Sequence, residues 1–282
     1  RPNSMNWQAD RAQSWRRLSR RLQIANSDPS VRILILAAHP DDETIGASLL
    51  LSRFPQSLVA FLTDGAPRDT RLWSAGVHGS REDYAEIRRQ EAFRALDCLR
   101  IPARNVVWLG GVDQEAAFET GMLVERFAKL ISEMRPEIVI THAYEGGHPD
   151  HDAAAVVATI ANSSLETPPL VLEMTSYHAR DGRCVTGEFL DPDPGSELRF
   201  ELLSAYRYRK RQMMSAYASQ RLVLENFPID CERLRLAPEY NFGEPPHPGK
   251  LWYECMGWAM TGARWRELAT SALAGVQEHS CR

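Results

Sequence analysis

The chain has 282 residues, 33 Lys and Arg against 37 Asp and Glu, a formal net charge of −4, and 44% hydrophobic and 25% charged residues. That balance excludes a polybasic nucleic-acid binder and an acidic disordered tail, and the length suffices to bury a sizeable core. Five scattered cysteines, Cys98, Cys184, Cys231, Cys255 and Cys281, form no CxxC pair, so neither a disulfide framework nor a cysteine zinc knuckle is expected, and a reducing cytoplasm is the expected setting.

Arg-Pro-Asn-Ser before Met5 reads as an expression remnant. Trp15, Leu18 and Leu22 then recur at helical spacing among arginines, with no acid between Asp10 and Asp28. A helix lying on the body of the protein is expected there, ahead of an organelle-targeting peptide. Nothing approaches the roughly 18 consecutive apolar residues of a membrane span.

After Pro29 short apolar runs alternate with amphipathic stretches, the pattern of βαβ units and a mostly parallel sheet. Strands are predicted at Val31–Ala38, Ser57–Thr63, Asn105–Leu109, Glu137–Thr141 and Leu170–Tyr177. A helix capped by Ser80, with Asp83 completing the cap, should bury Tyr84, Ile87, Glu91, Leu96 and Leu99, place Cys98 in the core and close at Pro102. Leu123, Phe127, Leu130, Ile131 and Met134 make a second amphipathic helix stopped by Pro136, and Pro149 with Asp150 starts a third. Asp181–Gly195 reads as a loop or irregular hairpin, Leu198–Ser219 as a helix, Tyr240–Trp258 as an aromatic stretch, and Trp265, Leu268, Ala272 and Leu273 as one face of a last helix.

The expected fold is α/β: a Rossmann-like, mostly parallel sheet flanked by helices, with an irregular C-terminal extension packed on the same domain. Residues 1–28 form an N-terminal extension and 29–282 one domain, with the catalytic core at 31–177 and residues 181–282 as a C-terminal part that covers the substrate pocket.

Two segments carry chemistry: Ala38-His39-Pro40-Asp41-Asp42-Glu43 after the first strand and His148-Pro149-Asp150-His151-Asp152 after the fourth. Open α/β sheets hold ligands at the carboxyl ends of their strands, so the topology brings both to one crevice. His39, Asp42 and His151 supply two imidazoles and a carboxylate, leaving open positions as a catalytic zinc requires. The neighbouring aspartate is free to act as a general base, and His148 to stabilise an oxyanion. Either segment alone reads better as a capped turn; both together, each after a buried strand, read as a site. His78, His142, His178, His247 and His279 read as structural, with His142 near the pocket. Two histidines and a carboxylate also suit a non-haem iron(II) oxygenase, which oxygen and keto-acid dependence would reveal. A non-catalytic Rossmann-like binding module is the third reading, although the first turn offers only Gly46 where a phosphate cradle needs G-x-G-x-x-G.

The pair A-H-P-D-D-E and H-P-D-H resembles the hallmark of the LmbE-like, or PIG-L, family of zinc-dependent N-deacetylases over roughly Val31 to Tyr177. The resemblance implies zinc, with iron(II) as the alternative, on His39, Asp42 and His151, Asp41 as general base, and His148 at the oxyanion. It further implies a small N-acetylated amino-sugar substrate of the N-acetylglucosamine type, with no nucleic-acid partner. Arg88-x-x-Glu91 and Leu109-Gly110-Gly111-Val112-Asp113 resemble family segments that hold sugar hydroxyls, which makes Arg88 and Asp113 the substrate-binding candidates; a surface ion pair between Arg88 and Glu91 is the competing reading. Tyr217-Ala218-Ser219-Gln220 resembles a further family segment. The chain departs from the family at Ala66-Pro67-Arg68 and at Glu145-Gly146-Gly147, which leaves the substrate's identity open.

Overall fold

The computed structural model describes residues 4–24, 30–192 and 196–280. Residues 1–3 of the expected remnant, the boundary expected at residues 28 and 29, and Cys281 lie outside the described residues. Helix α1 (Ser4–Gln23) precedes β1 (Ile33–Ala37), α2 (Asp42–Arg53), β2 (Leu58–Thr63), α3 (Arg81–Asp97), β3 (Val106–Gly111), α4 (Thr120–Met134), β4 (Ile138–His142), α5 (Pro149–Ser163) and β5 (Leu170–Met174). Then come a hairpin of β6 (Tyr177–Arg180) and β7 (Arg183–Thr186), β8 (Glu197–Glu201), α6 (Ser204–Ala216), α7 (Arg221–Leu224), β9 (Cys231–Leu236), α8 (Trp252–Cys255) and α9 (Gly262–Ser280).

Seven strands form one sheet in the order β3-β2-β1-β4-β5-β9-β8. The pairings from β3 to β5 are parallel, and β9 runs antiparallel to both its neighbours. Every residue of β1 is buried, as a strand covered on both faces must be. Side chains alternate: Ile33, Ile35 and Ala37 enter one apolar layer, with Leu50 of α2, Leu96 of α3 and Leu18 and Leu22 of α1, while Leu34 and Leu36 enter the other with Leu123 and Phe127 of α4 and Val157 of α5. The chain winds from β1 outward through β2 to β3, then returns to place β4 on the other side of β1. The carboxyl ends of β1 and β4 are therefore adjacent at a switch point, where such sheets bind ligands.

Four expectations are corrected. Residues 197–201 form strand β8, where a helix from Leu198 was expected: buried Leu198 and Phe200 alternate with exposed Arg199 and Glu201, a period of two. The Ser80 capping box is present, but α3 ends at Asp97, ahead of Pro102, because Arg100 adopts φ 60° and Ile101 N–H returns to Leu96 O (3.1 Å). Cys98 is exposed beside that exit, outside the core. Ile87 is 38% exposed; Arg88 takes the buried position next to it. Strand β9, unforeseen from sequence, joins β5 to β8. Buried Lys210 of α6 donates to Ile45 O (2.6 Å) and to Glu232 of β9 (3.0 Å), whose carboxylate also accepts Leu49 N–H (3.0 Å), so the C-terminal third is bolted onto α2.

Candidate active site

The turn after β1 is built around a strained residue. Asp41 stands at φ 130°, a value non-glycine residues rarely adopt and one that costs about 1–3 kcal/mol. Its N–H donates to Glu43 Oε2 (3.0 Å), its carbonyl accepts Thr44 and Ile45 N–H (2.9 and 3.0 Å), and Arg88 donates to both Pro40 O and Asp41 Oδ2, the latter at 3.0 Å. Glu43 is held in turn by the hydroxyls of Thr44 (2.6 Å) and Tyr217 (2.7 Å). His39 N–H donates to Asp42 Oδ2 (2.8 Å).

The turn after β4 starts α5 differently. His148 is the N-cap: its Nδ1 accepts Asp150 N–H (3.1 Å), which puts the ring hydrogen on Nε2, 2.7 Å from the Gln114 amide. The Asp150 carboxylate accepts Gln114 N–H (2.7 Å) and Ala116 N–H (3.1 Å) and faces His39 Nε2 (3.1 Å), stapling the loop after β3 to both turns. Asp152 Oδ1 accepts the N–H groups of Glu145 (3.2 Å) and Gly146 (3.0 Å). Gly147 passes so close to β6 that an added Cβ would lie 1.9 Å from Tyr177 O.

Donor atoms converge here. Those of Asp42, His142 and His151 lie within 4.8 Å of one another, as do those of His39, His148 and His151, and those of His39, Asp113, His148 and Asp150. The expected ligand set spans the first two groups, with Asp42 between: Oδ2 is 3.4 Å from His39 Nδ1 and Oδ1 is 3.3 Å from His151 Nε2. Asp150 on His39 Nε2 leaves Nδ1 turned toward Asp42, the carboxylate–histidine support that metal ligands commonly have. His142 comes closer than expected from sequence: it lies 3.3 Å from Asp42 and stacks on His151 with centroids 4.0 Å apart. Its Nε2 already accepts Ala38 N–H (3.1 Å), which suits a supporting place.

The electrostatics agree with a cation site. Burial works against a charge on His39, yet Asp113, Asp150 and Asp42 outweigh it and raise its pKa well above the ordinary imidazole value. Burial also opposes the Asp42 carboxylate, but His151 and His142 hold its pKa well below the usual range. Burial, then His142, lowers His151 to about 3, and burial with His39 and His151 lowers His148. Asp41 is pushed up to about 7, by burial first and by Asp42, with Arg88 working the other way. Buried His148 and His151, held neutral, beside an ionised Asp42 offer donors that fit a divalent transition-metal cation, and the carboxylates that favour a charge on His39 would favour such a cation in the same place.

A cavity of about 710 Å³ opens onto the cluster, lined by Asp41, Arg88, Asp113 and His148 among others. Arg88 is buried and not on the surface; it pairs with Glu91 (3.3 Å) as well as Asp41, and Glu91 receives Ser219 N–H (2.8 Å) and Oγ–H (2.6 Å). Asp113 Oδ1 faces His39 Nε2 at 3.3 Å. Sequence reasoning places Asp150 at a helix start, but it assigns no part in the site to Glu43, Asp150, Gln114 or Tyr177. The first two sit inside the quoted motifs, where a count of hydrogen-bond acceptors beside helix starts would have flagged them; Gln114 and Tyr177 carry no local signal. The aromatic stretch divides: Tyr240, Phe242 and Tyr253 pack in a core cluster with Trp265, while Trp252 and Trp258 line the cavity.

Residues 34–162 match the family model PIG-L, GlcNAc-PI de-N-acetylase. Among curated proteins the chain is similar to a probable N-acetyl-alpha-D-glucosaminyl L-malate deacetylase 2 of Bacillus subtilis, 26% identical over 64% of this chain and 85% of that one. It is also similar to a 1D-myo-inositol 2-acetamido-2-deoxy-alpha-D-glucopyranoside deacetylase of Tsukamurella paurometabola, 31% identical over 46% of this chain and 54% of that one, so the match spans about half of that relative's length. The crystal structure of a deacetylase in the biosynthesis pathway of teicoplanin shares the fold, with a TM-score of 0.53 at 19% identity over 74% of this chain and all of that one. Among the described residues no helix is long and apolar enough to cross a membrane.

Proposed function

We propose that the chain is a zinc-dependent hydrolase that removes the acetyl group from an N-acetylated amino sugar, of the N-acetylglucosamine type, or a small conjugate of one. The observation that supports this most is the meeting of both motif turns at one cavity: His39, Asp42 and His151 as the holders of the cation, Asp41 beside them on a strained turn, and His148 across the cluster. A divalent cation held there supplies Lewis acidity toward the amide carbonyl and toward a water molecule.

The chain's own groups do the proton work. The Asp41 carboxylate, aimed by Arg88 and by the Glu43 contact to its N–H, takes a proton from the attacking water. His148 acts as a neutral donor: with Nδ1 committed to Asp150 N–H, its Nε2–H, which faces the Gln114 amide (2.7 Å) in the structure, would turn from it to the oxyanion that forms when the amide carbon becomes tetrahedral. The proton on Asp41 then passes to the departing nitrogen, and acetate and the free amine leave. Asp113 and Arg88 border the cavity as the sugar contacts, Arg88 while also clamping Asp41. Purified protein analysed for metal and assayed for amine release from N-acetylglucosamine and its glycosides tests the reading. About one zinc per chain with amine release is expected; a metal-loaded protein that liberates no amine from any of them would sink it.

A further inference from the structure

We infer that the substrate carries an apolar aglycone, and that the outer wall of the catalytic cavity is built to take it. The inference rests on the deacetylase reading above. The cluster end of the cavity is polar, whereas most of its exposed lining side chains are apolar. Leu222, Val223 and Met256, which are 67%, 48% and 51% exposed, are three of the nine exposed large hydrophobic side chains among the described residues, and all three line this one cavity. Scattered singly, such residues would need no explanation; gathered at the mouth of a cleft, they mark a binding surface.

The apolar surface runs inward from that rim to the cluster. The Trp258 ring meets His148 edge-on with centroids 4.8 Å apart, and Phe227 stands 6.0 Å from Tyr177, itself 5.2 Å from His151. In a 2-acetamido sugar the anomeric substituent sits on the carbon next to the one bearing the amide. With the amide at the histidines, that substituent leaves the cluster at its edge and passes along these rings.

Polar alternatives find little to hold them. Among the described residues lining the cavity Arg88 is the only Lys or Arg; it is buried, and its two terminal nitrogens are engaged by Asp41, Glu91 and Pro40 O, leaving only Nε–H for a neutral sugar group. A carboxylate or phosphate on the aglycone would thus meet no free fixed cation, and would approach Asp41 and Asp113. The NH2 groups of the two amides beside the wall are committed as well: Gln220 donates to Tyr84 (2.9 Å) and Ser74 (3.2 Å), and Asn226 to the carbonyls of Leu222 (2.9 Å) and Val223 (3.2 Å).

The test compares methyl, butyl and octyl N-acetylglucosaminides, an octyl-length chain ending in a carboxylate, and N-octanoylglucosamine methyl glycoside, all read as amine released by the zinc-loaded enzyme. From methyl to octyl, kcat/KM should rise by about tenfold or more, carried by KM, as buried methylenes accumulate. The carboxylate-ended chain should lose that gain. In the L222D/V223D double variant, at exposed positions where folding tolerates charge, the octyl-to-methyl ratio should fall toward one. A flat series, a carboxylate-ended substrate that is best, an unchanged ratio in the double variant, or a gain that follows the N-acyl chain would each overturn the inference while leaving deacetylation intact. Amine release from none of the substrates would overturn the deacetylase reading, and this inference with it.

Discussion

The turns after β1 and β4 open with the same tripeptide, His-Pro-Asp, and the protein uses it in two ways. In the first, α2 begins after the tripeptide, so Asp41 occupies the cap position at φ 130° and its carboxylate lines the cavity. In the second, α5 begins inside the tripeptide, His148 becomes the cap, and Asp150 points back to accept Gln114 and Ala116 N–H. A two-residue shift in where the helix starts turns one aspartate toward substrate and the other into scaffold. Residue type alone does not set the role; the position relative to the helix start does.

The largest effect that could break this contrast is expected at Asp41. Asp41→Asn should lower kcat/KM by roughly 10²–10⁴-fold, the usual range for a lost general base, while metal content stays at the wild-type level. Asp150→Asn should act through the metal, weakening zinc affinity by roughly 10–100-fold in a chelator competition, because it supports His39 from behind. If the two variants showed the same split between turnover and metal content, the contrast would fail. Gly147→Ala, with its Cβ driven against the Tyr177 carbonyl, should cost roughly 1–3 kcal/mol of stability or more, seen as a lower Tm, and should disturb only the second turn. Gly65→Ala tests the first turn. Gly65 holds φ 67°, and a Cβ there would lie 2.8 Å from Pro40 Cδ and 2.9 Å from Arg88 Nε, so a cost of about 1–2 kcal/mol with reduced turnover is expected.

The pH profile sharpens the same point. Burial pushes Asp41 up to about 7, and the proposed reaction needs its carboxylate, so kcat/KM should rise with pH and level off above that value. A cation on Asp42 favours the Asp41 carboxylate and moves the midpoint lower. A profile that stays flat or falls through neutral pH would count against Asp41 as the base.

Much of this was legible in the sequence where periodicity or a motif carries the signal. The parallel strands β1 to β5 are apolar runs bounded by breakers, and the two turns announce themselves by composition. β8 was missed because a five-residue alternation leads directly into the helical pattern of α6, and β9 because Glu232, Arg233 and Arg235 interrupt its apolar residues, although the two arginines pair with Glu188, Glu197 and Glu173. The site's donors could be named from sequence; their supports could not. Arg88 looked like a sugar ligand or a surface pair, and only the approach of α3 to the first turn shows it reaching Asp41. Gln114 and Tyr177 come from segments distant in sequence that the sheet order alone brings together.

The hydroxyl of Tyr217 on Glu43 has a consequence for modularity. The acid that receives Asp41's backbone N–H is itself anchored by a residue beyond α6, so the chemistry of the first turn reaches into the same C-terminal third that furnishes Leu222, Val223 and Met256 for the cavity wall. A chimera that borrows this third from a relative exchanges a support of the proposed base together with the surface proposed to select the substrate. On the proposed reading, specificity and turnover are in this chain a single inheritance.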